Sequence, residues 1–192
     1  QTPYRETEEH KRVSDMRFVE SAAKEVGSVL RAGNLCVLES TSPPYSTRMV
    51  EKIVSETSGL APEQFMTAHC PERIIPGRML IELRENDRII GSNRPESAQF
   101  AKEIYEKVVT GGTIRLTDDL TAEMCKLTEN TFRDINIAYA NELSKVCDRL
   151  GIDVFKLIEL ANCHPRVNVH TPGVGVGGHC IAVDPWFIHE KF

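Results

Sequence analysis

Apolar residues along this chain switch between two spacings, and each switch marks an element. From Val19 onward, Ala22, Ala23, Val26, Val29 and Leu30 recur at helical intervals, and Gly33 stands where a glycine stop is expected. Leu35–Leu38 is then a continuous apolar run closed by Ser42-Pro43-Pro44, the mark of a strand buried on both faces. The alternation continues with a helix over about 46–58, extended segments over about 65–69 and Arg88–Gly91, a helix over about 95–108 and a strand over Thr113–Leu116. Helices alternating with short buried strands imply a largely parallel sheet covered by helices.

At Leu116 the rhythm changes. No glycine or proline occurs from about Asp119 to Leu150, and Phe132, Ile135, Ala138, Leu143, Val146, Cys147 and Leu150 keep a helical period up to Gly151. About 30 residues of helix span about 45 Å, more than a small domain needs for itself. Such a helix reads either as a scaffold rod or as an element shared between domains or subunits. A further helix is expected over about Asp153–Asn162. The fold class is therefore α/β, with residues 1–117 forming part of a sheet domain and 118–192 a helical region.

Bulk properties narrow the function. The 192 residues carry a net charge of -5, with no basic footprint for nucleic acid and no polybasic stripe for a membrane. No apolar run approaches the 18 or more residues of a membrane span, and QTPYRETEEHKR lacks the apolar stretch of a signal peptide, so a cytoplasmic protein is expected. Six cysteines at 36, 70, 125, 147, 163 and 180 include no C-x-x-C pair, which suits reduced thiols. Cys163, His164, His170, His179 and Cys180 are of zinc-ligand type, but their spacing matches no zinc motif, and no metal is expected. The chain begins at Gln1 and stops at Phe192 inside an amphipathic pattern, so it reads as a piece of something longer.

Gly173, Gly175 and Gly178 in PGVGVGGHCIAVDP fit the G-x-G-x-x-G dinucleotide fingerprint. That fingerprint requires a strand before it and a helix after it, with an acidic residue about 20 positions on. NCHPRVNVHTP does not read as a strand, and too little chain follows, so the match is a decoy. Other features do suggest a site when taken together. Glu39-Ser40-Thr41 and Cys70-Pro71-Glu72-Arg73 each follow an expected strand, where open α/β sheets bind ligands. Lys126 and Asn130 share one helical face, and Cys180 lies in a glycine bed four residues before Asp184. Each feature alone has an ordinary reading as a solvated or packing residue; their combination is what points to chemistry.

With these residues in view, the chain resembles the UDP-glucose/GDP-mannose dehydrogenase family. ESTSPP, CPERIIPGRM with NDRIIG, AEMCKLTENTF followed by ANEL, HPRVN and PGVGVGGHCIAVDPWF carry the likeness in order along nearly the whole chain. The resemblance implies a Rossmann-type parallel sheet followed by a long-helix central region that dimerises through residues 119–150. It also implies NAD and a four-electron oxidation of a nucleotide sugar's C6 alcohol to a carboxylate. In that reading Cys180 is the nucleophile, forming a thiohemiacetal and then a thioester, with Lys126 favouring the thiolate and steadying oxyanions beside Asn130. Asp184 and Glu72 would orient or deprotonate water, a task suited to buried carboxylates, and Thr41 would hold that water. Ser40, Thr41 and Glu72 would line the cofactor; Arg73, Gly175, Gly177 and Gly178 would meet the sugar. Arg166 would reach the site of a neighbouring subunit.

Three departures refine the likeness. Val183 stands where the family often has lysine before the aspartate, which favours the N-acetylhexosamine branch, and by resemblance the CPER and GGHCIAVDPW versions of the motifs imply UDP-N-acetyl-D-mannosamine as substrate. UDP-N-acetylglucosamine, UDP-glucose and GDP-mannose remain alternatives. Tyr45 stands where a glycine usually follows the double proline and is expected to point outward. The family's N-terminal glycine turn and its C-terminal UDP-binding domain are not expected in this stretch. A non-catalytic dimerising fragment and a zinc-binding module are the rival readings from other classes.

Overall fold

The structure, a computed structural model, describes residues 2–8, 12–75, 77–178 and 180–190. His179 of the glycine loop therefore lies outside the described residues. The chain forms two compact bodies, one taking in residues up to Lys126 together with the segment from Trp186 on, the other running Leu127–Pro185.

The first body holds a four-stranded sheet in the order β3 (Leu35–Leu38), β4 (Met66–His69), β5 (Arg88–Gly91), β6 (Ile114–Thr117). Alternation along β3 explains its uninterrupted apolar run. Cys36 and Leu38 pack with α1 (Arg17–Val29) and α2 (Ser46–Ser58), while Leu35 and Val37 pack with α4 (Pro95–Tyr105) on the opposite face. The sheet is thus covered on both sides, as the sequence pattern predicts.

Three details depart from that pattern. α1 ends at Val29, with Leu30 already extended; Gly33 is left-handed but sits later, in the turn into β3, where its amide donates to the Gln64 carbonyl at 2.7 Å. Pairing is parallel for β3–β4 and β5–β6 but antiparallel for β4–β5 through His69 and Gly91, so the sheet is mixed rather than uniformly parallel. The connection from β4 carries only the short helix α3 (Met79–Glu85), and β5 starts back at the end of the sheet where β4 finishes. A Cβ at Gly91 would lie 2.3 Å from the Asp118 carbonyl, and only glycine allows α5 to start this close to β5.

Three further elements carry no clear signal in the sequence. β1 (Tyr4–Glu6) and β2 (Arg12–Ser14) form an antiparallel hairpin, and α7 (Asp184–His189) follows the glycine loop. The Arg12 guanidinium lies 5.0 Å from the Tyr4 ring centre and 4.7 Å from that of Trp186, and the Ser14 amide donates to Glu190 at 2.9 Å. The hairpin therefore holds Trp186 of α7 by cation–π contact and Glu190, just beyond the helix, by a hydrogen bond to its carboxylate.

α5 (Asp119–Leu150) is 32 residues long. Gly151, at φ 67°, ends it in a Schellman arrangement: Ile152 N–H returns to the Cys147 carbonyl and Gly151 N–H to Asp148. Within the second body, Ala140, Leu143 and Cys147 of α5 pack against Val154, Leu157 and Ile158 of α6 (Val154–Ala161). Asp153 caps α6 by accepting from the amides of Phe155 and Lys156. Among the described residues, no helix is long and apolar enough to cross a membrane.

Candidate active site

In the first body the predicted residues gather at the carboxyl ends of β3 and β4. Ser40 and Thr41, both half-buried, follow β3, and their hydroxyls make no hydrogen bond among the described residues. The Glu72 amide donates to the Glu39 carbonyl at 3.2 Å, tying the two strand ends together. The Tyr105 hydroxyl donates to the Glu39 carboxylate. Cys70 is fully buried beneath this edge, and burial pushes its thiol up to about 11, so it stays a neutral packing group.

Glu72 is fixed through a single oxygen. Its Oε1 accepts from the amides of Arg73 at 2.6 Å and Ile74 at 2.9 Å, and from Arg88 Nη1 at 3.1 Å. The side chain keeps 39% exposure, so the expectation of a buried carboxylate at this position is not met. Carrying the antiparallel register from the His69–Gly91 pair three residues outward sets Glu72 opposite Arg88. A parallel neighbour would have delivered Arg88 to the other end of the sheet. The Arg73 guanidinium turns to the Asp87 carbonyl at 3.1 Å.

Tyr45 follows the double proline with φ 75°, the left-handed region in which a glycine is unstrained. Its ring is half-exposed, as expected, with the Arg48 guanidinium 5.6 Å from its centre. Glu123 on α5 accepts from the Tyr45 and Thr47 amides at 2.7 Å each and from the Thr47 hydroxyl at 2.6 Å, capping α2. Burial raises the Glu123 pKa, and these three donors offset part of that rise. Three residues along α5, Lys126 is half-buried, and its ammonium has no partner among the described residues.

In the second body Asn130, one turn beyond Lys126 on α5, is buried and donates to Asp184 Oδ2 at 2.5 Å. Asp184 is itself fully buried. Two more asparagines of α5 hold the same loop: Asn136 accepts from the His170 amide at 3.3 Å and Asn141 from the Gly173 amide at 2.8 Å. The glycine run is exposed, and a Cβ at Gly173, Gly175, Gly177 or Gly178 would meet nothing within 4 Å. Packing within the chain does not demand these glycines; backbone does at Gly175 and Gly178, with φ of 128° and 83°. Cys180 is exposed and in no disulfide, and Arg166 is exposed.

Glu123, Arg88, Asn136 and Asn141 went unremarked in the sequence. Arg88 had a signal, a charge opening an apolar strand. The asparagines had one too, since Asn is a poor mid-helix residue unless its side chain has work elsewhere.

Comparison with known proteins gives this arrangement a context. Residues 1–109 match the NAD binding domain of the UDP-glucose/GDP-mannose dehydrogenase family, and residues 120–192 match its central domain. The chain belongs to this family. The NAD binding domain match indicates NAD as the cofactor. Among its relatives, an NDP-N-acetyl-D-galactosaminuronic acid dehydrogenase of Ralstonia solanacearum is 56% identical over 182 residues, 91% of this chain and 43% of that protein. A UDP-N-acetyl-D-mannosamine dehydrogenase of Methanococcus maripaludis is 50% identical over 190 residues, 99% of this chain and 43% of that protein. The solved structure of a UDP-D-ManNAc dehydrogenase from Pyrococcus horikoshii superposes with a TM-score of 0.87 at 46% identity, covering 91% of this chain and 42% of that one. The chain thus spans less than half the length of the relatives it matches.

The residues present fit one end of a dinucleotide. Two uncommitted hydroxyls, Ser40 and Thr41, stand at the carboxyl edge of a parallel strand pair, where such cofactors lie.

Proposed function

We propose that this chain is part of an enzyme that oxidises UDP-N-acetyl-D-mannosamine to UDP-N-acetyl-D-mannosaminuronate. The observation that carries the reading is family membership together with 50% identity to a relative bearing that activity's name. The geometry supports it at one point in particular, the Asn130–Asp184 hydrogen bond, which joins the Lys126/Asn130 face of α5 to the segment just beyond Cys180.

In this reading Ser40 and Thr41 hold the polar end of NAD, which when bound accepts a hydride in each of the two oxidations. The C6 alcohol loses a proton and a hydride to give an aldehyde. The Cys180 thiolate adds to that carbonyl, and Lys126 and Asn130 donate to the resulting oxyanion. Loss of a second hydride leaves a thioester on Cys180. Water then adds to the acyl carbon, its proton passes to a carboxylate, sulfur leaves as thiolate, and the uronate is released. Glu72 and Asp184 are the carboxylates available for that transfer, and Thr41 orients the water. The open space over Gly175, Gly177 and Gly178 lets the sugar lie against backbone, with Arg73 and Arg166 as further substrate contacts, Arg166 toward the site of a partner copy.

The partner in this reading is a second copy. Phe132, Ile135, Tyr139, Val146 and Leu150 are all exposed along α5, an apolar run that a single copy leaves in water.

The test is a count of NADH per sugar in the full-length protein, with Cys180→Ser alongside. Two NADH per sugar and a collapse of turnover in the variant are expected; one NADH per sugar, or a fully active variant, overturns the mechanism. The 56% identity to a relative named for the galacto configuration favours one second reading, the same chemistry on the N-acetylgalactosamine isomer. A higher kcat/KM on that isomer would decide for it.

A further inference from the structure

Arg88 opens β5 with its side chain 0% exposed. Burying a guanidinium is costly unless its donors are met, and replacing such a group by an apolar one is often neutral or stabilising. Only Nη1 is met, by Glu72 Oε1 at 3.1 Å; Nε and Nη2 are buried without a hydrogen-bond partner among the described residues. The fold therefore carries a buried cation that packing alone does not call for, aimed at a residue of the candidate site.

The arrangement at Glu72 is asymmetric. Oε1 takes all three donors, the amides of Arg73 and Ile74 and the guanidinium of Arg88. Oε2 accepts none among the described residues, and the side chain keeps 39% exposure. Two amides from the chain's own turn would hold the carboxylate near its backbone but leave it free to pivot. The third donor comes from the neighbouring strand, on the buried side, and fixes the direction in which the other oxygen points.

We propose that Arg88 is the positioning residue of Glu72, holding one carboxylate oxygen from inside the sheet so that the other, Oε2, accepts the proton of the water that releases the acid from Cys180. This rests on the proposed oxidation and adds to it a division of labour: Glu72 serves hydrolysis, and neither oxidation depends on Arg88. Lysine could supply the charge at this position but not the planar guanidinium, so it would restore the function in part.

The experiment uses the full-length protein with Arg88→Met and Arg88→Lys. Rapid mixing with nucleotide sugar and NAD should show the two-NADH burst preserved in Arg88→Met, with kcat/KM for the sugar unchanged because KM falls in step with turnover. Steady-state turnover should fall by about tenfold to a hundredfold, with the acyl adduct on Cys180 visible by intact mass, and Arg88→Lys should recover part of the loss. A burst that slows in parallel with turnover, or turnover equal to the parent's, overturns the proposal. A second readout needs no activity: hydrogen exchange at the Arg73 and Ile74 amides should quicken in Arg88→Met and less so in Arg88→Lys. Unchanged exchange overturns the proposal even if the parent oxidises no sugar, whereas a parent that makes no NADH sinks the oxidation reading alone. Should Arg88→Met fail to fold, both readouts are taken on Arg88→Lys, where a partial loss confined to steady-state turnover is expected.

Discussion

The Asn130 side-chain amide and the Asp184 carboxylate, 54 residues apart in sequence, meet at 2.5 Å with both side chains buried. Because the amide donates to the carboxylate, the pair works only with a donor at position 130. Asn130→Asp sets a second carboxylate against the first, and one of the two must then hold a proton. Stability in that variant should fall as pH rises, with a loss of roughly 2–4 kcal/mol at pH 8 and much less at pH 5. Thermal melts at the two pH values check this; an equal loss at both would mean the pair is not close in solution.

His69 is fully buried, and neither ring nitrogen makes a hydrogen bond of normal geometry. Burial lowers its pKa from 6.5 to about 4, which the nearby Leu38 backbone and Asp119 carboxylate offset only in part. Below pH 6.5 the unfolded chain takes up a proton that the folded chain refuses, so stability drops as pH falls from 6.5 toward 4. The loss is about 1.4 kcal/mol per unit, roughly 3 kcal/mol in all. His69→Leu should flatten this part of the curve in chemical denaturation across that range. An unchanged slope would assign the acid loss to other groups.

Tyr45 holds a left-handed backbone that costs a side-chain-bearing residue about 1 kcal/mol. Tyr45→Gly should raise the denaturation midpoint, since the Glu123 carboxylate still receives the amide of residue 45. Tyr45→Val, β-branched and less tolerant of this region, should lower it. Equal midpoints for the valine and glycine variants would remove strain as the explanation.

The apolar run on α5 sets a prediction for assembly. Ile135 is 64% exposed, and Ile135→Glu places a charge in the centre of the run. In the full-length protein this substitution should shift the mass measured by light scattering from dimer to monomer. A parent that is already monomeric at micromolar concentration would refute the proposed interface.

Sequence pattern was legible where one periodicity dominated. α2, β5 and α5 fall where spacing placed them, because long apolar repeats and a clean stop at Gly151 leave little competition. The end of α1 did not, since the stop at Leu30 comes from backbone geometry rather than from a glycine. Strand direction was not legible at all: nothing local to RIIG distinguishes a parallel from an antiparallel neighbour, and the reversal of β5 is what joins Arg88 to Glu72. Within the candidate site, Glu72, Asn130 and Asp184 stood out as motif residues. Their supports did not, because Arg88, Asn136 and Asn141 act through contacts between residues distant in the chain.

The grip of the β1–β2 hairpin on α7 has an optical consequence. Trp186 is the one tryptophan in the sequence, and the Arg12 guanidinium lies 4.7 Å from its ring centre. The indole emission of this chain comes from the helix directly after the glycine loop, and its colour responds to how firmly Arg12 is seated. Any movement that lifts α7 from the hairpin becomes a wavelength shift, giving this corner of the molecule a native dye.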